Sequence, residues 1–379
     1  MTVEGHSDVV IVGAGPSGCA AGIVLARAGW HVTVIDAASF PRDKVCGDAL
    51  STDAVELLEQ LGAAAAIHGR PHARYARAAA VFPDGTRIER KHTQPGYIVP
   101  RRDLDHGLVQ ALEMSGARLL QGTRVSELLH DQHGVSGVRG PAVHWTASLV
   151  LTTDGYTSFA GKRLGSKRAD QGARIAVSAT SYYRDVTFPH GADVTEHYFE
   201  RELDHGYAWI FPAVDGISNV GVYLRANAYR KQLRTLPELL GDFLARHAER
   251  FERATRIGEV RSWPLPLAPR GAPLSEPGLL LAGDAAGLVD PLSGEGIWQA
   301  LYSGKLAGQV ACESLRAGGL DATLRERYDR ECRRYMGRRS QRRLWIQEVM
   351  HWVMRANLFR LPVTRSLLRW GYGHPLFEG

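Results

Sequence analysis

Only four cysteines occur in 379 residues, Cys19, Cys46, Cys312 and Cys332. No two are spaced as a disulfide pair or as part of a zinc grip, so the chain reads as a protein of a reducing cytoplasm with no metal site. It also lacks any apolar run of about 18 residues, the length needed to span a bilayer. The opening octet MTVEGHSD has no basic-then-apolar leader and runs straight into a β-branched segment. Charge of one sign is scarce over most of the chain. The formal net charge is +6, yet residues 331–379 hold ten arginines (Arg333, Arg334, Arg338, Arg339, Arg342, Arg343, Arg355, Arg360, Arg365 and Arg369) against Glu331, Glu348 and Glu378, a local +7. The preceding 330 residues therefore sum to −1, and no aromatic-and-basic RNA motif accompanies the tail, so nucleic acid is not an expected partner. Hydrophobic content of 44% and charged content of 23% exclude disordered and fibrous classes. The length suits two domains or one elaborated domain with a large core.

What is present begins at residues 8–36, which read as strand, tight turn, helix and second strand. Val9, Val10, Ile11 and Val12 form the run that a parallel sheet buries on both faces. Gly13, Gly15 and Gly18 follow at the spacing of a dinucleotide fingerprint, with Pro16 and Ser17 opening the helix. Gly13 permits the turn, Gly15 lets backbone approach a pyrophosphate, and Gly18 lets helix pack on strand. The unpaired N–H groups and dipole of the helix then hold the anion. Asp36 closes the unit, where a carboxylate binds both ribose hydroxyls and repels a 2′-phosphate.

Residues 37–51 form a loop in which Arg42, Lys44 and Cys46 are candidates for cofactor contact; the alternative is a solvated basic loop. A helix is expected over 52–61, a hairpin over 77–90 around Pro83-Asp84-Gly85, and a helix over 103–115. Short strands follow near 118–120 and 125–129, then 149–153, which ends in Asp154-Gly155. Alternating runs at 175–183, 194–200, 207–212 and 219–224 read as antiparallel strands. A helix at 236–251 precedes a buried strand at 278–282 that ends in Gly283-Asp284, and helices are expected at 296–315 and 324–343. The units expected are cofactor segments at 1–75, 98–170 and 266–335, substrate segments at 76–97 and 171–265, and a helical tail at 336–379.

The first glycine motif alone does not separate NAD from FAD. Because Asp154-Gly155 and Gly283-Asp284 recur far downstream with sheet segments between, the sequence resembles the para-hydroxybenzoate hydroxylase superfamily of FAD proteins. The resemblance implies an α/β fold: a Rossmann-like FAD-binding domain in three segments, an inserted antiparallel β-sheet substrate domain and C-terminal helices. It implies that Asp284 bonds the ribityl chain and that Arg101 contacts the flavin nucleotide. More narrowly, FPRDKVCGDALS, HGYAWIFP and GDAAGLVDPLSGEGIWQAL are similar to the geranylgeranyl reductase family, flavoproteins that saturate isoprenoid double bonds. That similarity implies a Cys46-Gly47 pair at the isoalloxazine and places Tyr207, Trp209, Phe211 and Pro212 over a substrate cavity. For the aromatic strand the alternative is plain core. Pro291 and Gly294 stop the preceding run, and Glu295-Gly296 opens a helix whose positive end suits the flavin edge where negative charge collects on reduction.

The expected function is hydride transfer from reduced FAD to a C=C bond of a hydrophobic prenylated substrate. Cys46, Tyr207, Trp209 and Phe211 are the catalytic candidates, and NAD(P)H or ferredoxin is the electron donor. The runner-up is an FAD monooxygenase that hydroxylates or epoxidises an aromatic or prenylated metabolite. Ala286-Gly287 stands where such hydroxylases carry Ala-His, and Tyr207 and Phe211 depart from the strand of flavin halogenases. A non-catalytic flavin-binding protein is a third class. His205 and Glu196 are weighed as proton donors but read as surface residues, since alternating strands leave half their side chains in water. In the tail, tryptophans interleaved with Arg342, Arg343, Arg355, Arg360, Arg365 and Arg369 suggest amphipathic helices broken at Pro362, suited to peripheral contact with an anionic membrane. The alternative is that this face packs on the cofactor domain.

Overall fold

The computed structural model describes residues 2–164, 174–267 and 273–372. Its first sheet is built on the strand Val3–Val12, which runs parallel to Val32–Ile35 on one side and Val143–Thr152 on the other. Arg118–Leu120 and Leu279–Leu281 extend it, both parallel. Val9, Val10 and Ile11 are fully buried, as both faces of a parallel sheet demand. The helix Pro16–Arg27 packs on Ile297–Arg316. Gly304 makes that approach close: a Cβ there would sit 2.1 Å from the Ser17 carbonyl oxygen. The sequence reading passed over the strand Gly134–Gly140, which pairs with Glu127–Asp131 and Val143–Thr152, because its glycines interrupt the alternation.

The second sheet has eight strands. Its order is Thr255–Pro266, Ile175–Arg184, Ile217–Arg225, Tyr207–Pro212, Val194–Tyr198, Ala73–Val81, Arg87–Ile98 and Ala49–Leu50. It is not wholly antiparallel, as expected, because Val194–Tyr198 runs parallel to Ala73–Val81. No hairpin joins these distant stretches, so nothing local sets their direction. The sheet also takes Ala49–Leu50 and starts another strand at Ala73, inside the stretch expected to serve the first cofactor segment alone.

Alternation sorts the aromatic strand. Ala208 and Ile210 join Leu239 and Phe243 of the helix Leu236–Arg246 on one face, while Tyr207, Trp209 and Phe211 point to the other. That helix opens with a capping box between Thr235 and Glu238. It stops at His247 and a separate turn follows at Ala248–Phe251, so the single helix expected over 236–251 is two.

The C-terminal helices are longer than expected and differently broken. Ala322–Cys332 leads through a π-helical turn, Arg333–Gly337, into Arg338–Arg355, and Pro362–Tyr372 follows. Val353, Met354 and Phe359 pack on Ala80, Phe82 and Ile88 of the second sheet, with Phe82 stacked on Phe359 at 5.8 Å. Among the described residues, no helix is long and apolar enough to cross a membrane.

Candidate active site

The first turn is shaped by exclusion. Gly13 has φ of 101°, and a Cβ on it would lie 2.6 Å from the Thr153 carbonyl oxygen; a Cβ on Gly18 would lie 1.9 Å from the Gly13 oxygen. Gly15 differs, for its nearest neighbour would be the Arg42 guanidinium at 3.9 Å. Gly15 also caps the helix Pro16–Arg27 with no side-chain cap bond, leaving N–H groups for an anion. Two crowded glycines flanking an open one fit a dinucleotide pyrophosphate, so the cradle suits FAD. Asp36 accepts the Ala14 N–H at 2.7 Å and the Ala38 N–H at 2.8 Å, which leaves each carboxylate oxygen one lone pair for a ribose hydroxyl. From the second segment, Asp154-Gly155 follows the strand Val143–Thr152, with Gly155 at φ of 78° and open space where its Cβ would be. Gly283 sits over Ser17 with φ of 63°.

Charge ties these segments together. Arg101 is 3% exposed and forks onto Asp105 at 2.9 and 2.8 Å, and Arg42 reaches the same carboxylate at 2.9 Å. Burial would raise the Asp105 carboxyl, but Arg101 and Arg42 outweigh it and lower its pKa. Arg101 also lies against the Cys46 thiol. Lys44 meets Asp284 at 3.2 Å, and the Ser51 hydroxyl donates to half-buried Glu295 at 2.5 Å. One oxygen of Asp290 accepts the Leu292 N–H at 3.0 Å, the Ser293 N–H at 2.9 Å and the Ser293 hydroxyl at 3.0 Å, while the other pairs with Arg343. Asp290 therefore shapes the stretch Pro291, Gly294, Glu295, Gly296 that precedes the helix Ile297–Arg316. Tyr223 secures it from the second sheet by donating to the Pro291 carbonyl at 2.8 Å, and the Tyr207 hydroxyl donates to that of Ser293.

The Cys46 loop lies on the aromatic wall. A Cβ on Gly47 would stand 3.4 Å from the Phe211 ring and 3.7 Å from Trp209. Burial raises the Cys46 thiol pKa, with Arg101 pulling the other way, so at neutral pH it is a thiol. Asp48, wholly buried at φ of 63°, accepts from the Tyr182 hydroxyl at 2.5 Å, the Asn219 amide at 2.8 Å and the Arg101 N–H at 3.3 Å. Burial still outweighs these donors and pushes its carboxyl up to about 6. Asn219 also donates to the Cys46 carbonyl at 2.8 Å and accepts from Trp209 at 2.9 Å and Thr180 at 2.7 Å, so its amide is fully used.

These parts enclose a cavity of about 300 Å³ whose lining includes Cys46, Asp284, Gly294, Tyr207, Trp209 and Phe211. The structure thus brings the Cys-Gly loop, the aromatic strand and the third-segment loop to one space. Asp48, Asp105, His197, Asn219 and Asp290 were missed by sequence reasoning. Asp48 and Asp290 stood inside the quoted motifs and Asp105 stands four residues after Arg101 on one helix, whereas His197 and Asn219 carried no local signal.

Glu196 and His205 are corrections. Glu196 is 1% exposed on the sheet face away from the cavity, paired with Arg87 and Arg250 at 2.7 Å each. His205 is covered by the tail helix, its ring stacked on His351 at 4.0 Å and bonded to Glu348 at 2.9 Å. Glu196 is buried, His205 is half-buried, and neither lines the cavity. The tail reading is corrected too: Arg343 is 2% exposed against Asp290, and Arg365 pairs with Asp84 at 2.7 Å. Arg343 therefore cannot face lipid, while Arg365 is partly exposed.

A family model described as FAD binding domain matches residues 6–342. The chain is 34% identical over 323 residues to the menaquinone reductase of Mycolicibacterium smegmatis, covering 80% of this chain and 76% of that protein. It is 29% identical over 346 residues to the digeranylgeranylglycerophospholipid reductase of Methanosarcina mazei, covering 87% and 81%. A geranylgeranyl bacteriochlorophyll reductase-like protein from Thermoplasma acidophilum shares the fold, with a TM-score of 0.83 at 23% identity over 92% of this chain and 88% of that one.

Proposed function

The chain belongs to the FAD-binding flavoproteins of the geranylgeranyl reductase family, and from that premise we propose that this oxidoreductase saturates a C=C bond in the isoprenoid chain of a prenylated small molecule. The observation that carries the reading is the wall of Tyr207, Trp209 and Phe211, each less than 9% exposed, facing a cavity shared with Cys46 and the cofactor loops. When bound and reduced, FAD supplies the hydride. An isolated alkene accepts hydride poorly, so positive character must be stabilised as it forms, and three aromatic faces do this by cation–π attraction. Tyr207 is fixed for that task by its bond to Ser293, and Trp209 spends its N–H on Asn219, so each offers its ring. Cys46 Sγ holds a proton at neutral pH and delivers it to the second carbon. Arg101 then stabilises the thiolate until solvent reprotonates it. The proposed electron donor is NAD(P)H or ferredoxin.

We also propose peripheral contact with an anionic membrane, the natural reservoir of a prenyl chain. The helix Arg338–Arg355 is inverted: Arg343 and Gln347 are buried while Trp345 and Trp352 are 66% and 62% exposed, with Val349 between them. Val363, Leu367 and Trp370 form a second exposed stripe on Pro362–Tyr372, and Arg342, Arg355, Arg360 and Arg369 are exposed beside them. Tryptophans suit the headgroup boundary, and each basic residue there contributes about 1 kcal/mol.

The deciding experiment is anaerobic. Chemically reduced holoenzyme mixed with a prenylated substrate should reoxidise and yield product with two more hydrogens. Turnover that requires oxygen and incorporates it into product would replace this reading with the monooxygenase one.

A further inference from the structure

Outside the cavity, the junction of the tail with the second sheet gathers another set of polar side chains. Asp204 and His205 lie in the loop that leads into the strand Tyr207–Pro212. Glu348 and His351 lie three residues apart on the helix Arg338–Arg355, and so on one face of it. The rings of His205 and His351 stack at 4.0 Å. Nδ1 of His205 is 3.1 Å from Oδ1 of Asp204, and Nδ1 of His351 meets the same oxygen. One ligand-type atom from each of Asp204, His205 and His351 thus lies within 4.8 Å of the other two.

Glu348 decides what the His205 ring offers. Nε2 of His205 lies 2.9 Å from Oε2 of Glu348, and a carboxylate only accepts, so Nε2 carries the hydrogen. In the neutral ring Nδ1 is then an acceptor facing a second carboxylate, and it makes no hydrogen bond there. Protonating both stacked rings would set two positive charges against each other. A single divalent ion satisfies Asp204 and both Nδ1 atoms and keeps the rings neutral. With metal–ligand distances of about 2.0–2.1 Å, a separation of 3.1 Å corresponds to an angle of roughly 98° at the metal, which a distorted tetrahedral site accepts. The side chains of Asp204 and His351 are 27% and 20% exposed. The ion enters from their side, so Nδ1 of His205 needs no solvent face of its own. Glu348 on the far nitrogen of His205 is the carboxylate that orients a metal-bound histidine, and Arg225 fixes Glu348 at 2.6 Å.

We propose that Asp204, His205 and His351 form a zinc site that fastens the tail helix to the loop entering the aromatic strand. Two imidazole nitrogens and one carboxylate oxygen suit zinc, with water as the fourth ligand; magnesium and calcium prefer oxygen alone. The ligands come from distant segments, so no local spacing signals them. None of the three lines the cavity, and the site stands whatever the cavity takes. Its role is to hold the tail, not to touch substrate.

The test uses FAD-loaded, tag-free protein stripped with a chelator. Titration against a chromophoric zinc indicator should show one ion per chain at micromolar affinity or tighter. Saturating zinc should raise Tm by about 3–5 °C, with magnesium and calcium without effect. His351→Ala and Asp204→Asn should each weaken zinc binding at least about tenfold while the stripped variants keep their FAD. In the wild type, zinc should also protect His351 from diethyl pyrocarbonate, read by mass spectrometry, which decides the matter where a variant does not fold. No binding at about ten micromolar free zinc, binding that survives both substitutions, or equal modification of His351 with and without zinc overturns the site. The cluster is then a hydrogen-bonded contact only, and the reductase reading is untouched.

Discussion

The side-chain amide of Asn219 donates to the carbonyl of Cys46 across 2.8 Å. These residues lie 173 positions apart, one in the loop before Ala49–Leu50 and the other on the second sheet, and the bond fixes the proposed proton donor against the aromatic wall. The same amide holds Trp209 and Asp48, so one residue sets the spacing between loop, wall and buried acid.

Asn219→Leu should therefore destabilise the protein and misplace the loop together. It leaves the Trp209 N–H and the Asp48 carboxylate short of a partner, at a cost of about 2–4 kcal/mol. Denaturant unfolding measures the first effect. Anaerobic single-turnover reoxidation measures the second, expected to slow at least about tenfold. A variant with wild-type stability and rate would show that the bond is incidental.

Cys46→Ser should bind FAD normally and reduce its substrate slowly, since a hydroxyl is a far weaker acid than the thiol beside Arg101. Single-turnover kinetics with FAD occupancy as the control make the comparison. Unchanged kinetics return Cys46 to a packing role.

Asp48 predicts a pH-dependent stability with a definite sign. Its folded pKa, about 6, lies above the unfolded value of 3.8, so the native state binds the proton more tightly. The stabilisation is complete below 3.8 and is lost as pH rises through 6. Relative to Asp48→Asn, which stays neutral throughout, the wild type should lose on the order of 2–3 kcal/mol between pH 4 and pH 7. A stability difference that does not vary with pH would contradict the assignment of the cause to burial.

Two glycines of the cradle should fail differently. Gly15→Ala has room in the chain itself, so the apoprotein should keep its Tm while FAD affinity falls, by roughly 10–100-fold, the effect of some 1.4–2.7 kcal/mol of lost backbone approach. Gly18→Ala places a methyl 1.9 Å from the Gly13 oxygen and should lower Tm as well. Flavin titration and thermal melts of apoprotein separate the two; identical behaviour would refute the open-and-crowded reading.

The tail arginines divide likewise. Replacing Trp345, Trp352 and Trp370 by serine should abolish cosedimentation with anionic vesicles at low salt and leave Tm unchanged. Arg343→Ala breaks a buried pair and should cost about 3–5 kcal/mol of stability. If the triple variant still sediments with vesicles, the exposed stripes are not the contact.

The sequence alone determined whatever depends on local spacing. Gly13, Gly15, Gly18 and Asp36 declare a dinucleotide cradle because turn, helix entry and acid all lie within one strand–helix–strand unit. Cys46-Gly47 and the aromatic strand were legible as motifs for the same reason. Alternation shows that Glu196 and His197 must face opposite ways, but not which of them meets the cavity. That was decided when the helix Leu236–Arg246 covered one face of the sheet and the cofactor loops covered the other. The tail pattern marked an amphipathic helix, yet only packing turned Arg343 inward to Asp290 and left the tryptophans outside. Asn219 had no signal at all, since a hydrogen bond between residues 173 positions apart exists only once the Cys46 loop is seated on the second sheet. Local periodicity sets what each segment can present, and the burial of one face rather than the other settles what it does present.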